Sequence, residues 1–287
     1  MNETLGIIRR YLEQGILAKA GLGIVFLIIL FAIFGPMFVR FGPTEQDLSI
    51  VLNAPDSRHL LGTDELGRDI LARVAYGARN SLFIGIISVG MAMVMGVTIG
   101  LLAGYWRGVL DRLIASLMDA MLAFPPLVLA IAISAALGPG YLSIMIAVGI
   151  VFTPFFGRLV RGVVLSVREM EYVLGARAIG TRDVKIILRH ILPNIAAPII
   201  IQVSLGLAYA ILVEAGLSFL GVGLTPPAPS WGSMLRDGYG YMQMAPSMAI
   251  SPGVAIFVTV LGFNFVGDGI RDALDPTQQR VFKETEQ

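Results

Sequence analysis

Side-chain chemistry needs reactive groups in company, and this chain offers few. It contains no cysteine and two histidines, His59 and His190. Disulfides, thiolate metal sites and cysteine nucleophiles are thereby excluded. No G-x-x-x-x-G-K-[ST] phosphate loop occurs, so no nucleotide hydrolysis of that type is expected. No Ser-His-Asp arrangement is suggested either. An enzyme is not expected, nor a catalytic, cofactor or metal site in this chain. Two kinds of feature remain. One is a densely charged segment over residues 162–194, with Arg168, Glu169, Glu171, Arg177, Arg182, Asp183, Lys185 and Arg189. The other is a pair of acids in otherwise apolar stretches, Asp119 and Glu214. A carboxylate inside a membrane span is costly, which makes both candidates for gating or for the pathway of a solute.

The elements that must position these groups follow from composition. The chain is 56% hydrophobic and 14% charged over 287 residues, with a mean hydropathy of +0.79. So few charges cannot cover that much apolar surface in water, so lipid must be the solvent for much of the chain. A net charge of +1 provides no field to attract nucleic acid. About 20 apolar residues cross a hydrocarbon core of roughly 30 Å. Uncharged runs give spans over 20–39 and 80–106. The run 120–157 is too long for one crossing and is broken at Gly138-Pro139-Gly140, giving spans over 113–137 and 141–161. Residues 195–217 and 249–267 supply a fifth and a sixth. The two histidines then fall on opposite sides of the membrane, too far apart to share a metal.

The positive-inside rule sets the orientation. With the N-terminus in the cytoplasm, fifteen of the 21 Lys and Arg residues lie inside. Arg40, Arg58, Arg68, Arg73, Arg79 and Arg236 lie outside. A bacterial or archaeal inner-membrane protein with both termini cytoplasmic is expected. The first apolar run is longer than a signal h-region and is expected to stay as a span; Arg9-Arg10 read as cytoplasmic anchors. Leu5, Ile8, Leu12 and Ile16 recur at helical spacing. They suit either an amphipathic helix on the inner surface or an extension of the first span.

Smaller signals fill in the loops. Thr63 is a candidate N-cap for a surface helix running into the second span, with Asp64–Arg68 and Asp69–Arg73 as i,i+4 pairs. Gly96 and Gly100 form a small-xxx-small pair suited to close helix packing. Pro125-Pro126 should kink the third span. Residues 221–248 are rich in Gly and Pro and form an external loop, where Trp231, Tyr239 and Tyr241 suit the interfacial aromatic belt. Glu214 lies near the outer end of its span, within reach of water or an arginine.

In the charged segment, the stretch from Val167 to Ile179 favours helix, Gly180 offers a stop, and a second helix is expected from Asp183 to Leu192 before Pro193. This elbow resembles the EAA loop of ABC importer permeases, whose pattern is E-A-A, three residues, Gly, nine residues, Ile, one residue, Leu-Pro. Leu174-Gly175-Ala176 stands at E-A-A, Gly180 at the glycine, His190 at the isoleucine and Leu192-Pro193 at Leu-Pro. Leu174, Gly175 and His190 depart from the general pattern. Glu171-Tyr172-Val173 and Arg189-His190-Ile191-Leu192-Pro193-Asn194 look like the dipeptide/oligopeptide branch. So do His59–Asp69 with Tyr76-Gly77-Ala78-Arg79, the run Glu214–Gly221, and the run Gly267–Pro276. The order of these segments is similar to the C-type permease subunit of dipeptide, oligopeptide and nickel importers.

The resemblance implies an all-α membrane protein with the type I ABC importer permease fold. It would have six transmembrane helices, an N-terminal amphipathic helix and a cytoplasmic coupling-helix loop. It implies a division into a cytoplasmic segment 1–19, a first span and outer loop 20–79, a core permease domain 80–270 carrying the loop 166–194, and a tail 271–287. It implies that Glu171, Gly175, Ala176, Arg177, Gly180, Leu192 and Pro193 form the ATPase-docking loop. The partners implied are a homologous B-type permease, two cytoplasmic ATPases holding ATP and Mg, an extracytoplasmic substrate-binding protein and membrane lipid. Peptides are the expected cargo. Nickel, glutathione or oligosaccharide on the same machinery, or an ion-coupled secondary transporter, are the alternatives. Secondary transporters show internal repeats and paired broken helices, which the sequence does not display.

Overall fold

The computed structural model describes Tyr11 and residues 15–274. The proposed amphipathic helix near the N-terminus and the tail beyond Leu274 lie outside these residues, apart from Tyr11 and the start of the first span. The described residues build a helical bundle. Helix α1 (Ile16–Phe38) is apolar on all sides and largely exposed, as a lipid-facing span should be. Helix α2 (Ile70–Trp106) has 37 residues, about 55 Å at 1.5 Å per residue, so it extends well beyond the hydrocarbon core. Helices α3 (Gly108–Leu122) and α4 (Pro126–Leu137) are joined at a bend of 95°. Helix α5 (Tyr141–Val167) is followed by the short α6 (Glu171–Ala178), then by α7 (Asp183–Phe219). Helix α8 (Trp231–Tyr239) lies in the last loop, and α9 (Ser247–Leu274) ends the bundle. Counting α3 and α4 as one broken span, six apolar elements are long and apolar enough to cross a membrane.

The third span is therefore not one kinked helix over 113–137. Pro125 has extended backbone, φ −56° and ψ 129°, because a residue before proline is pushed out of the helical region. Pro126 then opens α4 at a position where its missing N–H costs nothing.

Between apolar helices in lipid there is little hydrophobic driving force, so close van der Waals contact must hold the bundle together. Helices α2 and α5 supply it. A Cβ on Gly96 would stand 2.5 Å from Thr153 O, and one on Gly100 would stand 2.6 Å from Gly157 O. The small pair at 96 and 100 thus does pack inside the bundle, against α5. Ile84, Val89, Ile144, Val148, Phe152 and Phe156 fill the core above this seam. Helices α1, α7 and α9 close around it, with Ser204 Oγ donating to Phe263 O at 2.8 Å to tie α7 to α9.

The outer loop differs from its expected form. Helix α2 begins at Ile70, not at Thr63, and its N-cap is Asp69, which accepts from Ala72 N at 2.7 Å. Thr63 is fully buried and its hydroxyl donates to Ile50 O. Asp64 does pair with Arg68, at 2.6 Å, but within a turn and not on a helix. The Asp69 side chain pairs with His59 Nδ1 at 2.9 Å, and Arg73 turns to Asp64 at 3.3 Å. Long-range partners won over local ones here because the loop folds back on itself, bringing residues 59 and 69 together.

Candidate functional site: the charged elbow

The charged segment forms two legs and a tip. Helix α5 ends at Val167, a turn follows, and α6 turns Val173 and Ala176 inward. Both are buried with Tyr105, Val164, Val167, Ile186 and Ile191 in a small core of their own. This anchors a helix of eight residues, too short to be stable alone. The opposite face is open. Glu171, Gly175 and Arg177 are exposed, and so are Tyr172, Leu174 and, at 84%, Ile179. A Cβ on Gly175 or Gly180 would meet nothing within 4 Å, so both present bare backbone to the outside.

Gly180 has φ +75°, the left-handed conformation that ends a helix cheaply only with glycine. Thr181 N donates to Ala176 O at 3.0 Å and Gly180 N to Arg177 O at 3.0 Å, satisfying the last carbonyls of α6. A polar knot locks the tip to the end of α2. Tyr105 Oη donates to Asp183 Oδ1 at 2.5 Å, and the Arg177 guanidinium lies 5.4 Å over the Tyr105 ring. The bond to Tyr105 raises the Arg177 pKa above its ordinary value.

The second leg does not stop before Pro193. Asp183 to Phe219 is one continuous helix, because residues 187–191 take a wider π turn. Leu192 N bonds Ile187 O, five residues back. Pro193 then sits in the first turn of the following α-helical stretch, where a residue without N–H is tolerated. The sequence suggested a stop at the proline; the π turn absorbs it instead. The elbow therefore runs directly into the fifth span as a rigid lever. Leu192 is half-buried and Pro193 exposed.

Of the two acids within apolar stretches, neither joins the elbow. Asp119 is exposed on α3 and lies 3.7 Å from Arg158. Glu214 is fully buried in α7 and among the described residues pairs with no arginine, contrary to expectation. Its Oε1 accepts from Ser218 at 2.8 Å, its Oε2 has no hydrogen-bond partner among the described residues, and the hydroxyls of Ser81 and Ser230 are nearby. Trp231 is likewise buried and not in an interfacial belt. Its Nε1 donates to Val74 O at 3.1 Å and its ring fills the space beside Gly77. Among the described residues no cluster of His, Asp or Glu is arranged to hold a metal.

Comparisons with known proteins bear on this arrangement. Residues 96–280, which include the whole elbow, match the family described as the binding-protein-dependent transport system inner membrane component. The chain belongs to this family. Residues 7–55 of the permease match the N-terminal transmembrane domain of oligopeptide transport permease C. Its relatives include the dipeptide transport system permease protein DppC of Alkalihalophilus pseudofirmus, 48% identical over 93% of this chain and 88% of that one. The glutathione transport system permease protein GsiD of Pectobacterium atrosepticum is 44% identical over 93% and 89%. DppC of Haemophilus influenzae is 40% identical over 93% and 92%. Among solved structures, the MetNI methionine ABC transporter in an inward-facing conformation superposes with a TM-score of 0.57 at 17% identity, covering 71% of this permease and 97% of that chain. The importer permease fold is thus shared at low identity.

Proposed function

We propose that this permease forms half of the translocation pathway of an ATP-driven importer for di- or oligopeptides. The elbow is the observation that carries the reading. An internally anchored short helix, with bare glycine backbone and exposed Leu174 and Ile179 on its open face, is built to be covered by another protein. The second leg, from Asp183, continues without a break into the fifth span, so a push at the tip is passed through the turn at Gly180 to a membrane helix. The partners are two cytoplasmic ATPases that hold ATP and Mg, a homologous B-type permease, and an extracytoplasmic binding protein that delivers the peptide. The chain sits in the inner membrane with both termini and the elbow in the cytoplasm. Glu171, Gly175, Arg177 and Gly180 lie on the docking surface. Ala176 serves it from within, and Leu192 and Pro193 connect it to the span. Peptide cargo is supported by the relatives from Alkalihalophilus pseudofirmus and Haemophilus influenzae, both dipeptide transport permeases. ATP binding must favour one conformation of the pair, and the docked elbow is what couples that preference to the spans.

Gly180 provides the test. In the free chain Gly180→Ala meets no steric obstacle, and the left-handed backbone alone costs about 1 kcal/mol. Gly180→Val adds bulk to the face that the ATPase would cover. In proteoliposomes holding the complete transporter, Gly180→Val is expected to lower ATP-dependent dipeptide uptake at least about tenfold, the factor equivalent to 1.4 kcal/mol. ATPase copurification should fall in parallel. Gly180→Asn, which tolerates φ > 0, should lie between wild type and valine. Normal uptake by Gly180→Val would remove the docking assignment. Uptake driven by an ion gradient without ATP would sink the whole reading.

A further inference from the structure

The outward side of the elbow's second leg carries a groove of about 600 Å³ lined by Arg182, Val184, Lys185, Leu188, Arg189 and Pro193. These residues share a face because 182, 185 and 189, and 184 and 188, recur at helical spacing. Val184 is 63% and Leu188 59% exposed, while Ile186, Ile187 and Ile191 on the other face are buried. The ion pairs around the cytoplasmic ends of α2, α3 and α5 use other cations: Arg107 and Arg168 with Glu169, Arg158 with Asp119, and Arg161 with Asp111. Arg182, Lys185 and Arg189 have no acid among the described residues. The adjacent Asp183 is exposed, but its carboxylate is engaged by the Tyr105 hydroxyl.

Depth decides what such a groove suits. The Tyr105–Asp183 bond sets the foot of α7 level with the end of α2, where Trp106 closes that span. From Asp183 the helix climbs 1.5 Å per residue, so Arg189 lies up to about 9 Å further toward the bilayer centre. The groove therefore runs from the headgroup layer to the top of the acyl chains. Arginine guanidinium groups match phosphate oxygens two at a time, and exposed Val184 and Leu188 match hydrocarbon.

We propose that this groove seats an anionic phospholipid of the cytoplasmic leaflet. Its phosphate lies among Arg182, Lys185 and Arg189, and its glycerol backbone rests against Val184 and Leu188, with the acyl chains running deeper past Arg189. The lipid is wedged where the docking elbow becomes the fifth span, so leaflet charge acts on the lever itself. The proposal rests on the elbow being cytoplasmic and is independent of what the tip docks to.

The test uses the whole transporter, with the subunits that copurify, in phosphatidylcholine nanodiscs with and without phosphatidylglycerol. Native mass spectrometry reads retained phosphatidylglycerol. The triple variant R182Q/K185Q/R189Q is expected to retain it roughly fivefold more weakly for each cation removed. Arg112→Gln, at an exposed cation on α3 outside the groove, should retain it as wild type does. Inorganic phosphate should not displace it. A second measurement leaves the cations intact. The chain has no cysteine, so Leu188→Cys carries a single fluorophore in this chain, and doxyl-labelled phosphatidylglycerol should quench it more than doxyl-labelled phosphatidylcholine. Equal retention by wild type and triple variant, or displacement by free phosphate, overturns the proposal. So does equal quenching by the two lipids, or cross-linking of Leu188→Cys to a partner subunit.

Discussion

Glu214 ties three elements together at the end of the bundle opposite the elbow. It stands on α7, Ser81 comes from α2, and Ser230 caps α8. The backbones here are almost in contact: a Cβ on Gly232 of α8 would come 2.4 Å from Ala215 O on α7. A side chain that offers a hydrogen-bond acceptor to Ser218 is needed; a full charge paired to a cation is not, since the neighbours are hydroxyls. Glu214→Gln keeps the acceptor and adds a donor, so it should leave the thermal unfolding midpoint in detergent close to wild type. Glu214→Ala leaves Ser218 without its partner and opens a cavity, and should cost about 2–3 kcal/mol. A glutamine variant as unstable as alanine would show that the charge itself matters. The sequence singled out Glu214 through the cost of a membrane carboxylate, but not its partners. Ser81 lies 133 positions away and carries no local signal.

At the scale of elements, the seam between α2 and α5 decides whether the bundle holds. Alanine at position 100 would place a methyl 2.6 Å from the carbonyl oxygen of Gly157. That oxygen belongs to backbone and cannot swing aside, so the two helices must separate and lose contacts along the seam. A loss of about 1–3 kcal/mol in unfolding experiments is expected. Gly162→Ala, further along α5 where a Cβ meets nothing within 4 Å, should be neutral or slightly stabilising, by up to about 1 kcal/mol. Equal effects from the two substitutions would mean that helix propensity, not close approach, is being measured. This seam was readable in advance, because Gly96 and Gly100 are four apart in an apolar run. A disturbance at Pro125-Pro126 and the stop at Gly180 were readable too, since proline geometry and left-handed glycine are local, but the sequence suggested a kink where the helix breaks outright. The π turn, the cap at Asp69 and the burial of Trp231 were not. The last two depend on contacts with other segments: His59 draws in Asp69, and Val74 with Gly77 makes the seat for Trp231. At the elbow, the family resemblance picked out Gly175 and Gly180 but not that Ala176 points inward, because that choice depends on the core it shares with α2 and α7.

For the whole molecule, the question is which lobe faces which compartment. The outer loop and α8 form one lobe. Asn80 Nδ2 donates to Pro229 O at 2.7 Å, and Trp231 bonds Val74, so residues 40–69 and 221–246 sit at the same end of α2. The elbow sits at the other end, held by Tyr105 and by Arg168 bonding the carbonyls of Gly104 and Tyr105. The two lobes are thus separated by the span, and the excess of Lys and Arg belongs to the elbow side, which the positive-inside rule places in the cytoplasm. The absence of cysteine makes this directly measurable. Leu60 is 63% exposed on the loop lobe and Ile179 is 84% exposed on the elbow. In intact cells a membrane-impermeant maleimide should label Leu60→Cys and leave Ile179→Cys untouched. After permeabilisation both should react, with Ile179→Cys protected in proportion to ATPase occupancy of the elbow. Labelling of Ile179→Cys in sealed cells would invert the topology. It would leave the glycine face with no ATPase to meet and the basic groove in the opposite leaflet.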